Sequence, residues 1–504
     1  MAVETELKFR VPAKGLAALA RRPLLRFRRG RVERHHLVST YFDTAKHKLR
    51  HRGLSLRIRR AHDKKIQTVK ADSHGKSGRG EWEAEVGDLT PHLRKASGSP
   101  LQKLGARKLS RKLKPVFKTL VHRTVVPLRA NKAEIELAID RGRIAASRRA
   151  VPLAEIELEL KSGRLSELFH LARIIELRTQ AELYLVSKSE RGYGLTGGNG
   201  KLVGFGQPIS LPHDTEAIEA FRTIVRSTMR HFADNADAIR AGDAEGIHQM
   251  RVGLRRTRAA ISLFAAMLPK ARTERIKSEL KWLTNELAPA RELDVFMRKK
   301  VEPATRDSIT KRGGHAIRKE FAAKRRQAFT RAQAALNSSR YRRLLIDCLE
   351  WLETEITRRR EEARKPIQDF AGDVLRRRLK KICKVGKHLD GLSIRERHKL
   401  RIRTKKLRYA LEFFDSLYPG KRDKKEVARL SERLKTLQST LGSLNDFAAH
   451  RVMTKEAALQ APRAHRRSRA FMAGIILGKE NEAIKPVLGR SVKAIKRLGS
   501  VSAF

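Results

Sequence analysis

At least six segments in the first two hundred residues alternate charged and apolar side chains with a period of two. On a β-strand, side chains at i, i+2 and i+4 leave the same face. Each segment would therefore carry charge on one face and Leu, Ile, Val or Trp on the other. VETELKFR (3–10) sets Glu4, Glu6 and Lys8 against Val3, Leu7 and Phe9. LSLRIRR (54–60) sets Arg57 and Arg59 against Leu56 and Ile58, and KIQTVKA (65–71) carries Lys70 near its end. RGEWEAEV (79–86) lines up Glu81, Glu83 and Glu85, and KTLVHRTVVPL (118–128) carries Arg123. AEIELAID (133–140) lines up Glu134, Glu136 and Asp140, and AEIELELK (154–161) lines up Glu155, Glu157, Glu159 and Lys161. One such strand is a solvated edge. Six of them, with acids on some and bases on others, predict a barrel built inside out. Its apolar faces turn to covering helices and its charged faces to an internal cavity. A cavity of mixed sign suits a cation and a phosphate chain bound together, with carboxylates on a hard cation such as Mg²⁺ and Arg and Lys on phosphate oxygens. RLSELFHLARIIEL (164–177) has helical spacing, and LYLVSKSERGYGL (183–195), with Lys188 and Arg191, closes the domain.

At 504 residues the chain exceeds one ordinary core, so two or more domains are expected. A stretch rich in Gly and Pro, GGNGKLVGFGQPISLPH (197–213), fits a linker. The 113 Lys and Arg exceed the 54 Asp and Glu by 59, and the excess is spread over both halves. Such a field concentrates polyanions. Nucleic acid, polyphosphate and an anionic membrane surface all qualify. Aromatic content of 5%, with no zinc-finger spacing or RNA-recognition signature, argues against nucleic acid as the specific partner. Cys348 and Cys383 form neither a disulfide framework nor a metal-ligand spacing. With no apolar signal region and no run of membrane-span length, a soluble cytoplasmic protein is expected.

The second half carries a repeat. HQMRVGLRRTRAAISLF (248–264) and HKLRIRTKKLRYALEFF (398–414) each place a base three, seven and ten residues after a histidine. His248, Arg251, Arg255 and Arg258 share one helical face, as do His398, Arg401, Lys405 and Arg408. The apolar sets Met250, Ile261, Phe264 and Leu400, Leu411, Phe414 fall on an adjacent face. ELAPARELDV (286–295) and STLGSLNDFA (439–448) also correspond, through Asp294 and Asp446. Two copies of a several-helix unit follow. No acid interrupts residues 248–264, so that basic stripe repels itself unless an anion sits on it.

The ordered pieces Glu4-x-Glu6-x-Lys8, YFDT (41–44), LSLRIR (54–59), QTVK (67–70), RGEWE (79–83), AEIELELKSG (154–163) and SKSERGY (187–193) resemble the CYTH family, the triphosphate tunnel metalloenzymes. The resemblance covers nearly all of residues 1–200. It implies an eight-stranded antiparallel tunnel that binds triphosphate compounds with a divalent cation, Mg²⁺ or Mn²⁺. Glu4 and Glu6 would help hold the metal, with Glu155 and either Glu157 or Glu159 from the opposite wall. Lys8, Arg57, Arg59, Lys70, Arg123 and Lys188 would bind phosphates. Glu6 and Lys8 would share in catalysis, Lys8 orienting water or stabilising the leaving phosphate. Glu81 and Glu83 either bind metal or pair with the arginines. The second half resembles the CHAD family, the conserved-histidine α-helical domain, from about residue 214 onward. That resemblance implies two similar helical bundles that bind inorganic polyphosphate on a basic surface. The residues concerned would be His248, Arg251, Arg255, Arg256 and Arg258, and His398, Arg401, Lys405, Lys406 and Arg408. In the second copy Arg255-Arg256 becomes Lys405-Lys406, which keeps charge but loses the bidentate fork.

The expected architecture is thus an α+β multidomain chain. A tunnel domain spans residues 1–200, a linker 201–213, and a helical domain 214–504, with repeat halves of about 214–350 and 365–504. The expected activity is a metal-dependent inorganic triphosphatase, with polyphosphate held by the helical domain and association with polyphosphate granules as a corollary. The alternatives are a non-catalytic polyphosphate-binding or granule-targeting protein, and an adenylate cyclase or organic triphosphatase of the same family.

Overall fold

The computed structural model describes residues 5–21, 27–71, 80–105, 109–130, 133–197, 203–303, 311–355, 361–459 and 466–499. Glu4 lies outside the described residues. The chain forms two compact units, Met1–Leu202 with Asn337–Glu355, and Val203–Leu336 with Ile356–Phe504.

The first unit is built on a ten-stranded antiparallel sheet. Its strands are β1 (Thr5–Arg10), β2 (Arg28–Arg29), β3 (Glu33–Asp43), β4 (Leu54–Ala61), β5 (Lys64–Ala71), β6 (Gly80–Glu85), β7 (Lys114–Ala130), β8 (Ala133–Ala146), β9 (Arg149–Ser162) and β10 (Glu182–Leu183). They run in the order β10-β1-β9-β8-β7-β3-β4-β5-β6, with β2 paired to β7. The sheet therefore exceeds the eight strands implied by the resemblance by two, and β2 and β10 are only two residues long. The alternation read from sequence is realised. Leu54, Leu56, Ile58 and Val69 pack on Leu93, Leu101 and Leu109, so the apolar face is covered by short 3₁₀ turns rather than by helices there. A helix does cover the β9 side, where Leu165–Thr179 buries Leu168, Phe169, Leu171, Ala172 and Ile175.

β3 breaks the simple pattern, with a bulge between Tyr41 and Phe42. Near it Leu37, Tyr41, Phe117, Val121, Ile144, Leu153 and Tyr193 form an apolar layer. Asp43 of the YFDT motif is fully buried and accepts backbone N–H groups from Thr44, Leu49 and Arg50, plus the Tyr193 hydroxyl at 2.8 Å. Its role is to tie the β3 end to the helix Lys188–Thr196. That helix starts at a capping box in which Ser187 and Glu190 satisfy each other's backbone N–H groups.

Residues 337–355 also fold with this sheet. Their helix, Ser339–Glu350, lies against Leu165–Thr179 through ion pairs of both polarities. Arg173 reaches Asp347 at 2.6 Å and Glu350 at 2.5 Å, and buried Glu176 accepts from Ser339, Arg342 and Arg343.

The second unit is helical. Its longer helices include Ala217–Ala233, Ala244–Leu263, Lys270–Phe296, Ile367–Gly386, Ile394–Phe414, Lys421–Leu459 and Arg466–Gly499. Both basic segments of the repeat are helices, and Met250, Ile261, Phe264, Leu400, Leu411 and Phe414 are all buried. Phe264 and Phe414 meet at 6.1 Å between ring centroids. Part of the Gly/Pro stretch is tied to this unit: Gly204 exchanges hydrogen bonds with the Asn235 side chain, and the Leu211 N–H donates to Ser416. Among the described residues no helix is long and apolar enough to cross a membrane.

Candidate functional site

The charged side chains of β1, β4, β5, β7, β8 and β9 belong to one sheet and act on one another's charge. Glu6 on β1 is exposed to solvent, yet burial is the first cause raising its carboxyl pKa, with the Glu157 charge second. Lys8 stands opposite Glu157 in the β1–β9 register. Burial pushes its ammonium pKa down, against the pull of Glu155 and Glu157. Among the described residues no ion pair or hydrogen bond reaches the Glu6 carboxylate or the Lys8 ammonium.

Arg57 and Arg59 on β4 supply the opposing charge. Burial first, then the neighbouring Arg57, pushes Arg59 down to about 10, and Arg123 adds to the effect. Among the described residues Arg59 has only a long contact to Ser39 Oγ, 3.4 Å, and the buried Arg57 Nε has no hydrogen-bond partner. Lys70, by contrast, is paired with Glu81 at 2.7 Å, and Thr68 donates to Glu83 at 2.8 Å. Glu81 thus holds a base, with Arg57 a further 3.8 Å contact. Lys70 still adds a small lowering contribution at the Glu6 carboxyl.

On the β7–β9 wall, Asp140, Glu155 and Glu157 bring carboxylate oxygens within 4.8 Å of one another. Asp140 pairs in register with Arg123 on β7 and with Glu155 on β9. Arg123 forks onto Asp140 with two 2.7 Å hydrogen bonds and also donates to Glu157. Lys188 Nζ lies 2.9 Å from Asp140, 2.9 Å from Glu155 and 2.5 Å from Glu157. Arg191 donates to Glu155 at 2.6 Å. Burial alone would lower the Arg123 and Lys188 pKa values, but these carboxylates hold both above the ordinary range. Burial would likewise raise Glu157, but Lys188 and Arg123 hold it well below the carboxylate range. Glu159 sits apart, paired with Lys161 at 2.7 Å.

These residues fit a hard divalent cation. The donors are all carboxylate oxygens, and Glu6 lies close enough to Glu157 to feel its charge while no base touches it directly. Sequence reading placed Asp140 on the charged face but gave it no role. Arg191 was likewise visible but unassigned, because its partner Glu155 lies 36 positions away.

In the helical unit the two basic stripes converge. Arg255 depresses the pKa of Arg401 and Lys405, although it belongs to the other copy of the repeat. Burial, then Arg255, pushes Arg251 down to about 10. Burial, then Arg401 and Arg255, pushes Lys405 down to about 7. Arg251 Nε and Nη1, Arg255 Nε and Arg401 Nε are buried without hydrogen-bond partners. Acids stand at the edges, Glu292 at 3.9 Å from Arg251 and Asp446 at 4.0 Å from Arg401. Arg291 joins the group unforeseen, bound to Asp294 at 3.3 Å. The i,i+3 spacing of Arg291 and Asp294 was the available signal.

Other expected residues go elsewhere. Arg256 is 2% exposed, donates to His231 Nδ1 at 3.1 Å, pairs with Glu412 at 2.8 Å and lies over the Phe413 ring. Lys406 contacts Ser262 Oγ at 3.0 Å and feels Arg378 and the exposed Arg258, forming a separate basic group. Arg408 donates to Gln438 at 2.9 Å while adding to the field at Lys405. Burial and Arg291 lower the His248 pKa, whereas His398 is exposed.

An antiparallel sheet with a charged interior, and a helical unit with a converging basic cluster, define two domain classes. Residues 2–193 match the CYTH domain, and residues 223–454 match the CHAD domain. An inorganic triphosphatase of Haemophilus influenzae is 32% identical over 162 residues, which cover 31% of this chain and 45% of that protein. The chain thus spans about half the length of that relative. The CHAD domain structure from the plant Ricinus communis shares 29% identity with a TM-score of 0.50, covering 59% of this chain and 97% of that one. PptA from Streptomyces chartreusis is 16% identical with a TM-score of 0.45, covering 56% of this chain and 100% of that one. The protein is a CYTH domain followed by a CHAD domain.

Proposed function

We propose that the sheet cavity hydrolyses inorganic triphosphate with Mg²⁺ or Mn²⁺, and that the helical domain binds inorganic polyphosphate. The observation that carries the reading is the division of the cavity. Glu6, which no base contacts among the described residues, feels the Glu157 charge, and Glu157 in turn acts on Arg59, which with Arg57 is enclosed and held by long contacts. The name of the Haemophilus relative agrees with it. The CYTH resemblance assigns this charged face of the sheet to the triphosphate tunnel of the family. Glu6 and Glu157 would hold the cation, with Glu4 and Glu159 completing the wall. The cation would supply charge neutralisation and Lewis acidity toward phosphoryl oxygens. Arg57, Arg59 and Arg123 grip and orient the phosphate chain. Lys8, whose ammonium no ion pair or hydrogen bond reaches among the described residues, would donate a hydrogen bond from Nζ–H to the phosphoryl oxygen that leaves when water attacks. Positioning and charge neutralisation then account for the rate, with no covalent intermediate on the protein.

Polyphosphate would lie on Arg251, Arg255, Arg401 and Lys405, where it relieves their mutual repulsion and supplies the missing acceptors. The decisive assay is phosphate release from tripolyphosphate, long polyphosphate, ATP and thiamine triphosphate with either metal. Release from tripolyphosphate is the expected result, and its absence from folded protein with both metals overturns the reading. Polyphosphate binding without release would identify a non-catalytic binder, and cyclic AMP from ATP a cyclase. Glu6→Ala is expected to abolish release while leaving polyphosphate binding unchanged. Polyphosphate should displace RNA or DNA far more readily than the reverse.

A further inference from the structure

We infer that Ser262, Lys406, Arg378 and Arg258 form a second anion site in the helical unit, where a single phosphate group takes the place of a missing carboxylate. The two basic helices of the repeat, Ala244–Leu263 and Ile394–Phe414, pack on each other. Their corresponding positions differ by 150, as His248 and His398 do. Arg256 therefore corresponds to Lys406, and Ser262 to Glu412. The contacts obey the same correspondence. Arg256 reaches Glu412 at 2.8 Å, and Lys406 reaches Ser262 Oγ at 3.0 Å. One crossing thus joins a base to an acid. The other joins a base to an uncharged hydroxyl.

The crossing without an acid also gathers further bases. Arg378, on the helix Ile367–Gly386, donates from Nη2 to the Ser262 carbonyl at 2.9 Å, so its guanidinium and the Lys406 ammonium meet at one residue. Arg258 stands one turn before Ser262 on the same helical face. Among the described residues no carboxylate contacts Lys406, Arg378 or Arg258, and Glu274 is bound to the exposed Lys277 at 2.6 Å. This group is distinct from the cluster proposed for polyphosphate. The charges acting most on Lys405 are Arg401, Arg255, Asp446 and Arg408, whereas those acting on Lys406 are Arg378, Arg258 and Lys277. Enclosed bases without an acid repel one another, and an oxyanion with several acceptor oxygens removes that repulsion. The place to be filled mirrors one carboxylate, that of Glu412, so it takes one phosphate group rather than a length of chain.

Titration calorimetry of the full chain with inorganic phosphate tests the site. Ser262→Glu puts back the carboxylate that Glu412 supplies at the corresponding crossing. Wild type is expected to bind one more phosphate per chain than Ser262→Glu, while affinity for long polyphosphate differs between them by less than about threefold at physiological salt. Ser262→Ala adds no charge and should keep the phosphate. Arg378→Met should weaken it about tenfold or more, the scale of a charge-assisted hydrogen bond, and Arg255→Met should leave it in place. Equal phosphate stoichiometry in wild type and folded Ser262→Glu overturns the proposal, as does loss of the phosphate in Arg255→Met but not in Arg378→Met. Linear tripolyphosphate and cyclic trimetaphosphate, which has no chain end, separate the sources of the phosphate group. One more linear molecule bound by wild type than by Ser262→Glu, with no such difference for the cyclic one, assigns the site to chain ends as well; no difference for either assigns it to free phosphate. Long polyphosphate that binds nowhere would overturn the function proposed for the helical domain and leave this site standing.

Discussion

Glu176→Ala tests how firmly residues 337–355 belong to the sheet unit. The Glu176 side chain is fully buried on the helix Leu165–Thr179. It accepts from Arg342 Nε at 2.9 Å, Arg343 Nε at 3.3 Å and Ser339 Oγ at 2.9 Å. Removing one member of a buried ion pair costs about 3–5 kcal/mol, because the partner is left uncompensated. Arg342 is 11% exposed and keeps one hydrogen bond to the Asn337 carbonyl at 2.7 Å, which favours the lower end. Arg343 is half exposed, so its arm adds only about 0–1 kcal/mol. The expected loss is therefore about 3 kcal/mol, and for a unit of this size a thermal midpoint falls by about 2–4 °C per kcal/mol. Two units do not unfold as one two-state system, so the signal must come from the segment itself. Trp351, buried 1% exposed within Asn337–Glu355, provides it once Trp82 and Trp282 are replaced by Phe. Denaturant unfolding followed at Trp351 should shift to lower denaturant, and amide exchange across Ser339–Glu350 should accelerate. A shift of less than about 1 kcal/mol in a folded Glu176→Ala protein would refute the argument that this buried carboxylate anchors the helix.

Polyphosphate affinity should fall as pH rises from about 6 to 8. Lys405 binds the anion as its ammonium, and its pKa is held near 7 by burial and by Arg401 and Arg255. His248 does not account for such a step, because burial lowers its pKa below the ordinary value of 6.5. Lys405→Arg should flatten the profile in a titration series. The same depressed pKa makes folding stability rise with pH between about 7 and 10.5, where the unfolded lysine holds a proton that the folded one does not; unfolding free energies that fall over this window in wild type relative to Lys405→Met would contradict it. Arg256→Met should leave polyphosphate affinity within about threefold while costing about 1–3 kcal/mol in stability, since Arg256 bonds to His231 and to the partly exposed Glu412 rather than to the basic cluster. Calorimetry and chemical unfolding on one sample decide it.

The charged strands were legible because their signal is local. Period-two alternation in LSLRIRR or AEIELELK needs no knowledge of neighbours, and both segments are strands over the stretches expected. β3 was not read as a strand although YFDT was noted. ERHHLVSTYFD places two histidines side by side, and its bulge shifts register just where the motif begins. The repeat was equally local, and its apolar positions are buried in both copies. Arg256 was misplaced with its neighbour because consecutive helical residues point about 100° apart. Arg255 joins the cluster while Arg256 turns to His231 and Glu412. Helical periodicity also gave no sign that Ser339–Glu350 packs with a sheet whose last strand ends some 150 residues earlier.

What sequence could not supply is the partner of each charge, and that partner decides function. Arg123 and Arg255 look alike as letters on amphipathic elements. In the structure Arg123 is held by Asp140 and Glu157, whereas the Arg255 Nε is buried with no acceptor and faces Arg401 and Lys405. An enclosed like-charge cluster is costly unless something of opposite sign completes it. The same test divides the carboxylates: Asp140 and Glu155 lie in ion pairs with Arg123, Lys188 and Arg191, although the buried Glu155 Oε2 has no hydrogen-bond partner, while among the described residues no base contacts Glu6. Residues whose charge no opposite group contacts among the described residues, Glu6, Arg59 and Arg255, and those held only by long contacts, Arg57 and Arg251, are therefore the ones whose substitution should change ligand binding more than folding. Those already matched, Asp140, Glu155 and Glu176, should change geometry and stability first.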